Sequence, residues 1–272
     1  MERRERLAKA DLASRAGIET HDDTAYAVLG NVRAMESALD LADAPRIDVE
    51  DILTLHRKLF GGTRDERFGG QIRAEQNWVG GTGMSPCTAD FVPPPPDRVH
   101  DLLEDLCAYI SGDEHPALVQ AAIAHAQFET IHPFVDGNGR TGRALIHLIL
   151  KRRGLAPRVV PPISLVLASH ADAYVSALTA YRYEGAADSR RAQEGIGPIR
   201  RGLISALTGF ERALARHHPR VRSPTAHEAF VPRRLPPWAA DEVRRVCPRC
   251  RAETGKGQGR LWQRTSPRPC GP

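Results

Sequence analysis

Residues 128–143 read FETIHPFVDGNGRTGR, and the order of residue types in this stretch decides how the chain around it folds. The apolar run before it ends at Ile131, Pro133 cannot donate the main-chain hydrogen bond a continuing helix needs, and Gly137-Asn138-Gly139 make a turn from which a second helix starts. Exposed N–H groups and the positive end of that second helix favour an anion at its first turn, where glycines let a phosphate approach the main chain. Arg140 and Arg143, one turn apart, can share a face and offer forked donors to phosphate oxygens. Asp136 is a hard oxygen ligand beside that site and suits Mg²⁺. His132, of a residue type with an ordinary pKa of about 6.5, can accept a proton from an attacking hydroxyl. A mere turn between helices would need only a capping glycine. His132, Asp136, Asn138 and two arginines within twelve residues therefore point to chemistry at the loop.

Outward from the loop, the periodicity is helical. Apolar residues recur at mostly helical spacing over 24–42, and again over 49–60, where Asp48 or Asp51 can cap the start and Gly61-Gly62 end the helix. Residues 97–110, 115–131 and 139–153 predict three more helices, and further ones are expected over 168–184 and 190–216. Between the second and third helices the character changes. The glycine-containing stretch 69–92 holds two short runs, 76–79 and 89–92, that can pair as a small β-hairpin, and the prolines at 93–96 prevent either a helix or a central strand from continuing. The fold class is all-α, a helical bundle with one small hairpin flap beside the loop. The expected organisation is an N-terminal segment over 1–22, a main domain over 23–216 and a basic Arg/Pro-rich tail over 217–272, whose composition buries too little apolar surface to offset ordering.

The 272 residues are 41% hydrophobic and 26% charged, ordinary values for a globular chain. No stretch approaches the roughly 20 apolar residues of a membrane span, and the charged N-terminus has no signal-like apolar core, so no membrane partner and a cytoplasmic location are expected. Five cysteines form an odd, sparse set unlike the disulfide framework of a secreted domain, and the single Cys247–Cys250 pair is too few for structural zinc. Residues 231–272 hold ten Lys or Arg against three Asp or Glu, so the tail carries +7 and the rest of the chain −2 of the net +5. The basic character belongs to the tail, and no specific nucleic-acid partner is expected of the folded part. His125, two turns before His132, and Tyr174 read as core residues.

The stretch HPFVDGNGRTGR resembles the signature HPFx(D/E)GNGRxxR of the Fic (filamentation induced by cAMP) family at every catalytic position, and GGQIRAEQNWVGG with ADFVPPPP is similar to that family's flap and its proline exit. The resemblance implies a Fic-type bundle and a protein adenylyltransferase that moves AMP from ATP onto a hydroxyl of a target protein or of itself. On that implication His132 is the general base, Asp136 binds Mg²⁺, and Gly137, Asn138 and Gly139 line an anion hole. Arg140 and Arg143 hold the β- and γ-phosphates, and Phe134 anchors the loop. Asn77, Trp78 and Val79 of the flap would receive the target segment. Gly139 stands where a kinase-type branch of the family has lysine, which favours adenylylation. Glu19, in SRAGIET, is the one N-terminal candidate for the family's inhibitory glutamate, on a segment that departs from its pattern. Removal of AMP, transfer of another phosphate-linked group, a non-catalytic binding module and a homo-oligomer all stay open on the residues alone.

Overall fold

The computed structural model describes residues 23–81, 86–156 and 163–182. Among them seven α-helices follow one another: α1 (Asp23–Leu41), α2 (Val49–Phe60), α3 (Pro96–Ser111), α4 (Ala117–Ile131), α5 (Asn138–Arg152), α6 (Ile163–Ser169) and α7 (Ala171–Tyr181). Short 3₁₀ turns lie at Glu66–Phe68 and Pro86–Thr88. No described helix is long and apolar enough to cross a membrane.

Local chemistry sets most of these boundaries. Asp48 and Asp51 cap α2 reciprocally, each carboxylate accepting the other's N–H at 3.0 and 2.9 Å, so both candidate caps act together as a capping box. Pro96 opens α3 at the position where its missing donor costs nothing. Gly137, at φ 79°, turns the chain into α5. The expected helix over 168–184 is interrupted: His170 leaves helical geometry at φ −129°, ψ 40°, and separates α6 from α7. The expected helix over 190–216, the segment holding Glu19 and the tail over 217–272 lie outside the described residues.

α4 is the centre of the bundle. Its apolar residues run round the whole cylinder, as a helix enclosed on all sides requires, and nearly all of them are buried. It packs against α3, α5 and α7, while α1 crosses α2 and α5. Gly30 permits the α1–α2 approach: a Cβ there would sit 2.1 Å from the carbonyl oxygen of Leu59. One core runs from Ala38 in α1 through Leu103, Phe128 and Leu148 to Tyr181.

The expected hairpin flap is reduced, among the described residues, to one antiparallel bridge between Val79 and Phe91. The Val79 N–H donates to Phe91 O at 2.9 Å, and Val79 O accepts from Asp90 and Phe91. Two features keep the pairing short. Gly80 and Gly81 take φ of +78° and +73°, turning the chain immediately after Val79. Beyond Val92 the prolines supply no donors.

Candidate active site

The α4–α5 connection folds around three residues that lie far from it in sequence. His132 ends α4 with φ 48°, the one positive φ outside glycine among the described residues. That conformation costs a non-glycine residue about 1–2 kcal/mol and must be held by its surroundings. Arg73 holds it. The residue is 3% exposed, its Nε donates to His132 O at 2.9 Å, its Nη1 to Glu75 O at 3.1 Å, and its Nη2 to Pro94 O. Its own N–H donates to Pro133 O at 2.9 Å. One guanidinium thus fastens the start of the loop to both ends of the flap segment. Burial lowers Arg73 to about 10, still cationic at neutral pH.

His56, on α2, fixes the middle of the loop. Its Nδ1 accepts the Gly70 N–H at 2.9 Å, which leaves the proton on Nε2, and Nε2 donates to Asp136 O at 2.9 Å. The ring stacks on Phe134, with centroids 3.6 Å apart and planes 7° apart. Phe134 is fully buried, in keeping with an anchor. Its main chain is held by Asn138, whose Oδ1 accepts Phe134 N–H at 2.9 Å and whose Nδ2 donates to Phe134 O at 2.8 Å. The side chain of Asn138 is therefore spent on the loop, and only its main chain remains for an anion. Asn77 behaves alike: its Nδ2 donates to Phe134 O at 3.2 Å, so this flap residue faces the loop.

The groups left for a ligand lie along the rim. Asp136 has a side chain 71% exposed and pairs with Arg140 at 3.0 Å, a surface contact worth no more than about 1 kcal/mol and easily exchanged. Arg140 also lies over the Phe60 ring, 5.0 Å from its centroid. Arg143 makes no hydrogen bond or ion pair among the described residues, and its Nη1 would lie 3.0 Å from a Cβ placed on Gly139. Any side chain at 139 would displace it. Val135, 63% exposed, projects beside Asp136.

His132 is half-buried, with Nδ1 enclosed and unpartnered. Burial pushes its pKa below the ordinary histidine value; the Glu129 carboxylate opposes this, and Arg182 and Arg73 add to it. The imidazole is neutral at pH 7, the form that accepts a proton. Its surroundings include residues the sequence left unassigned. Arg182, just after α7, reaches Glu129 O with Nη2 at 3.1 Å and Thr130 Oγ1 with Nε at 3.3 Å, and lies 3.7 Å from the centroid of the flap's Phe91 ring. His125 and Tyr174 join through Nε2 and Oη at 3.0 Å within the core, as expected of them.

Residues 46–150 match the Fic/DOC family. Over 201 residues the chain is 29% identical to protein adenylyltransferase fic-1 of Caenorhabditis briggsae, covering 70% of this chain and 37% of that protein. Over 119 residues it is 37% identical to protein adenylyltransferase Fic of Drosophila melanogaster, covering 42% and 22%. The chain thus spans well under half the length of these curated relatives. A solved Fic-domain-containing signalling protein of Bacteroides thetaiotaomicron shares the fold, with TM-score 0.53 and 18% identity over 82% of this chain and 83% of that one.

Proposed function

We propose that this chain is a protein adenylyltransferase that moves AMP from ATP to a hydroxyl side chain. The observation that carries the reading is the conjunction at one rim of a neutral His132, an exposed Asp136 carboxylate, the open N-terminus of α5 and an Arg143 without a hydrogen bond or ion pair among the described residues. Each is the form the reaction needs. His132, whose Nδ1 is enclosed, takes the proton of the attacking hydroxyl through Nε2 as the oxygen bonds to the α-phosphorus of ATP and pyrophosphate leaves. The main chain of 137–139 and the two arginines receive the phosphate oxygens.

Asp136 fits Mg²⁺ as that ion is usually held at nucleotides, by one or two carboxylates with the remaining positions taken by phosphate oxygens and water. When bound, the ion would neutralise charge on the phosphates. Arg140 would exchange Asp136 for phosphate, a small cost for so exposed a pair. Since Asn77 faces the loop, contact with a target segment falls to Trp78, Val79 and the exposed Val135. The relatives named protein adenylyltransferase support the same reading.

The test is incubation with Mg²⁺ and ATP labelled at the α- or the γ-phosphate, with candidate targets present and with His132→Ala in parallel. Protein-bound α-label that disappears in His132→Ala is expected. Protein-bound γ-label would mean phosphorylation, and label unaffected by His132→Ala would remove the histidine from the reaction.

A further inference from the structure

The last turn of α4 carries a charged group that the transfer above does not use. Glu129 is 7% exposed, and its Oε1 is enclosed without a hydrogen-bond partner. A buried carboxylate left partly unsatisfied costs several kcal/mol unless nearby groups offset it. Those groups surround it on every side. A Cβ on Gly142 would lie 2.7 Å from Glu129 Oε1 and 3.0 Å from His125 Nδ1, so α5 passes directly over the carboxylate. A Cβ on Gly139 would lie 3.9 Å from the same oxygen and 3.0 Å from Arg143 Nη1, so carboxylate and guanidinium flank one point in the first turn of α5.

His125 and His132 face the group from α4 and its cap, Arg143 from α5, Tyr174 from α7 and Arg182 from the turn after it. Arg73 faces His132 from the segment after α2. Tyr174 is held neutral by burial, reinforced by Glu129. Glu129 is the one carboxylate among these groups, and the arginines that meet it are the cation expected at phosphate and the one tied to the flap.

We propose that Glu129 is a positioning residue of the site: its buried carboxylate, three positions before His132 at the end of α4 and beneath the first turn of α5, stabilises His132 as the imidazole takes up a proton. The assignment deepens the reading of His132 as the base and rests on it. Its effect has two signs. A negative charge under the first turn of α5 helps His132 carry a proton and opposes phosphate binding at the same turn. Removing the charge therefore weakens the base and tightens the nucleotide. Gly142 belongs to the same device, because any side chain there would meet the carboxylate and His125 together.

The experiment is a pH titration of histidine ring signals in the full chain by NMR, with the His132 signal assigned by its loss in His132→Ala. In Glu129→Gln, nearly the same shape without the charge, the His132 midpoint is expected to fall by about one pH unit. In Glu129→Asp, whose charge is retained but withdrawn by one methylene, a smaller fall is expected. An unchanged or raised midpoint in the Gln variant overturns the proposal, and if that variant does not fold, an unchanged midpoint in the Asp variant does so. With adenylylation established, Glu129→Gln should lower kcat and KM for ATP together; a rise in KM would count against the proposal. Because the titration needs no turnover, a shifted midpoint without α-label transfer would retire the transfer reading and leave the positioning role standing.

Discussion

Asn138 closes a ring on the main chain of Phe134, receiving its N–H at 2.9 Å and donating to its carbonyl at 2.8 Å, so one buried carboxamide completes both halves of a residue four positions back. Asn138→Ala leaves two enclosed main-chain groups without partners, at a cost of about 2–4 kcal/mol. Asn138→Asp keeps the acceptor and sets a carboxylate oxygen against the Phe134 carbonyl, so it should be at least as damaging. Urea unfolding of the two variants checks the order. Two stable variants would show that the loop keeps its shape without this ring.

Arg73 makes a comparable demand at longer range, because its three side-chain nitrogens reach carbonyls of His132, Glu75 and Pro94 in different directions. A lysine carries the charge on a single nitrogen and cannot span them. Arg73→Lys should therefore cost about 2–3 kcal/mol and most of the α-label transfer, since the unusual backbone of His132 loses its brace. Full transfer by Arg73→Lys would show that Pro133 alone holds that backbone.

These two braces mark how much of the molecule was legible. Asp48, Pro96 and the Gly137 turn act through neighbours within a few residues, so local spacing revealed them. The loop residues stood out as candidates because five chemical groups fell within one short segment. Arg73, His56, Glu129 and Arg182 were not. The bonds that Arg73, His56 and Arg182 make to the loop and the end of α4 join positions 52 to 80 residues apart, and a lone arginine in a glycine-rich stretch reads as a solvated side chain. Glu129 was quoted within the loop segment, yet nothing in its sequence shows that its carboxylate points inward. Asn138 and Asn77 were expected at the anion hole and in the target-binding flap; that their side chains also bond Phe134 is visible only once the loop closes.

The glycines of the loop should separate by what stands above them. A Cβ on Gly137 would meet Phe60 at 2.9 Å and His56 Nε2 at 3.0 Å, at a φ of +79° that disfavours any side chain. Gly137→Ala should cost about 2 kcal/mol or more in stability. A Cβ on Gly139 meets at close range only the mobile end of Arg143. Gly139→Ala should unfold within about 0.5 kcal/mol of the wild type and still raise KM for ATP, because the guanidinium must move. Thermal melts beside nucleotide-dependence curves distinguish the two. Equal destabilisation would mean that the first turn of α5 is packed from above.

Buried neutral histidines give the fold an acid limit. Burial lowers His56 to about 4, with the bond to Asp136 opposing the shift and Arg140 assisting it, and burial alone lowers His147, on the inner side of α5, to about 4. Both values lie below the ordinary histidine pKa of about 6.5 that the unfolded chain would show. The unfolded state therefore binds the protons first. Stability from these groups is complete above about pH 6.5 and is lost as the pH falls towards 4, by on the order of 2 kcal/mol for each. His147 has no hydrogen-bond partner among the described residues, so leucine can replace it without leaving a group unsatisfied, and His147→Leu should match the wild type within about 1 kcal/mol at pH 7. At pH 4.5 the same variant should be the more stable of the two, because one of the proton-binding differences is gone. Urea unfolding at both pH values measures this directly, and an unaltered pH dependence in His147→Leu would show that His147 titrates in the fold as it does in water.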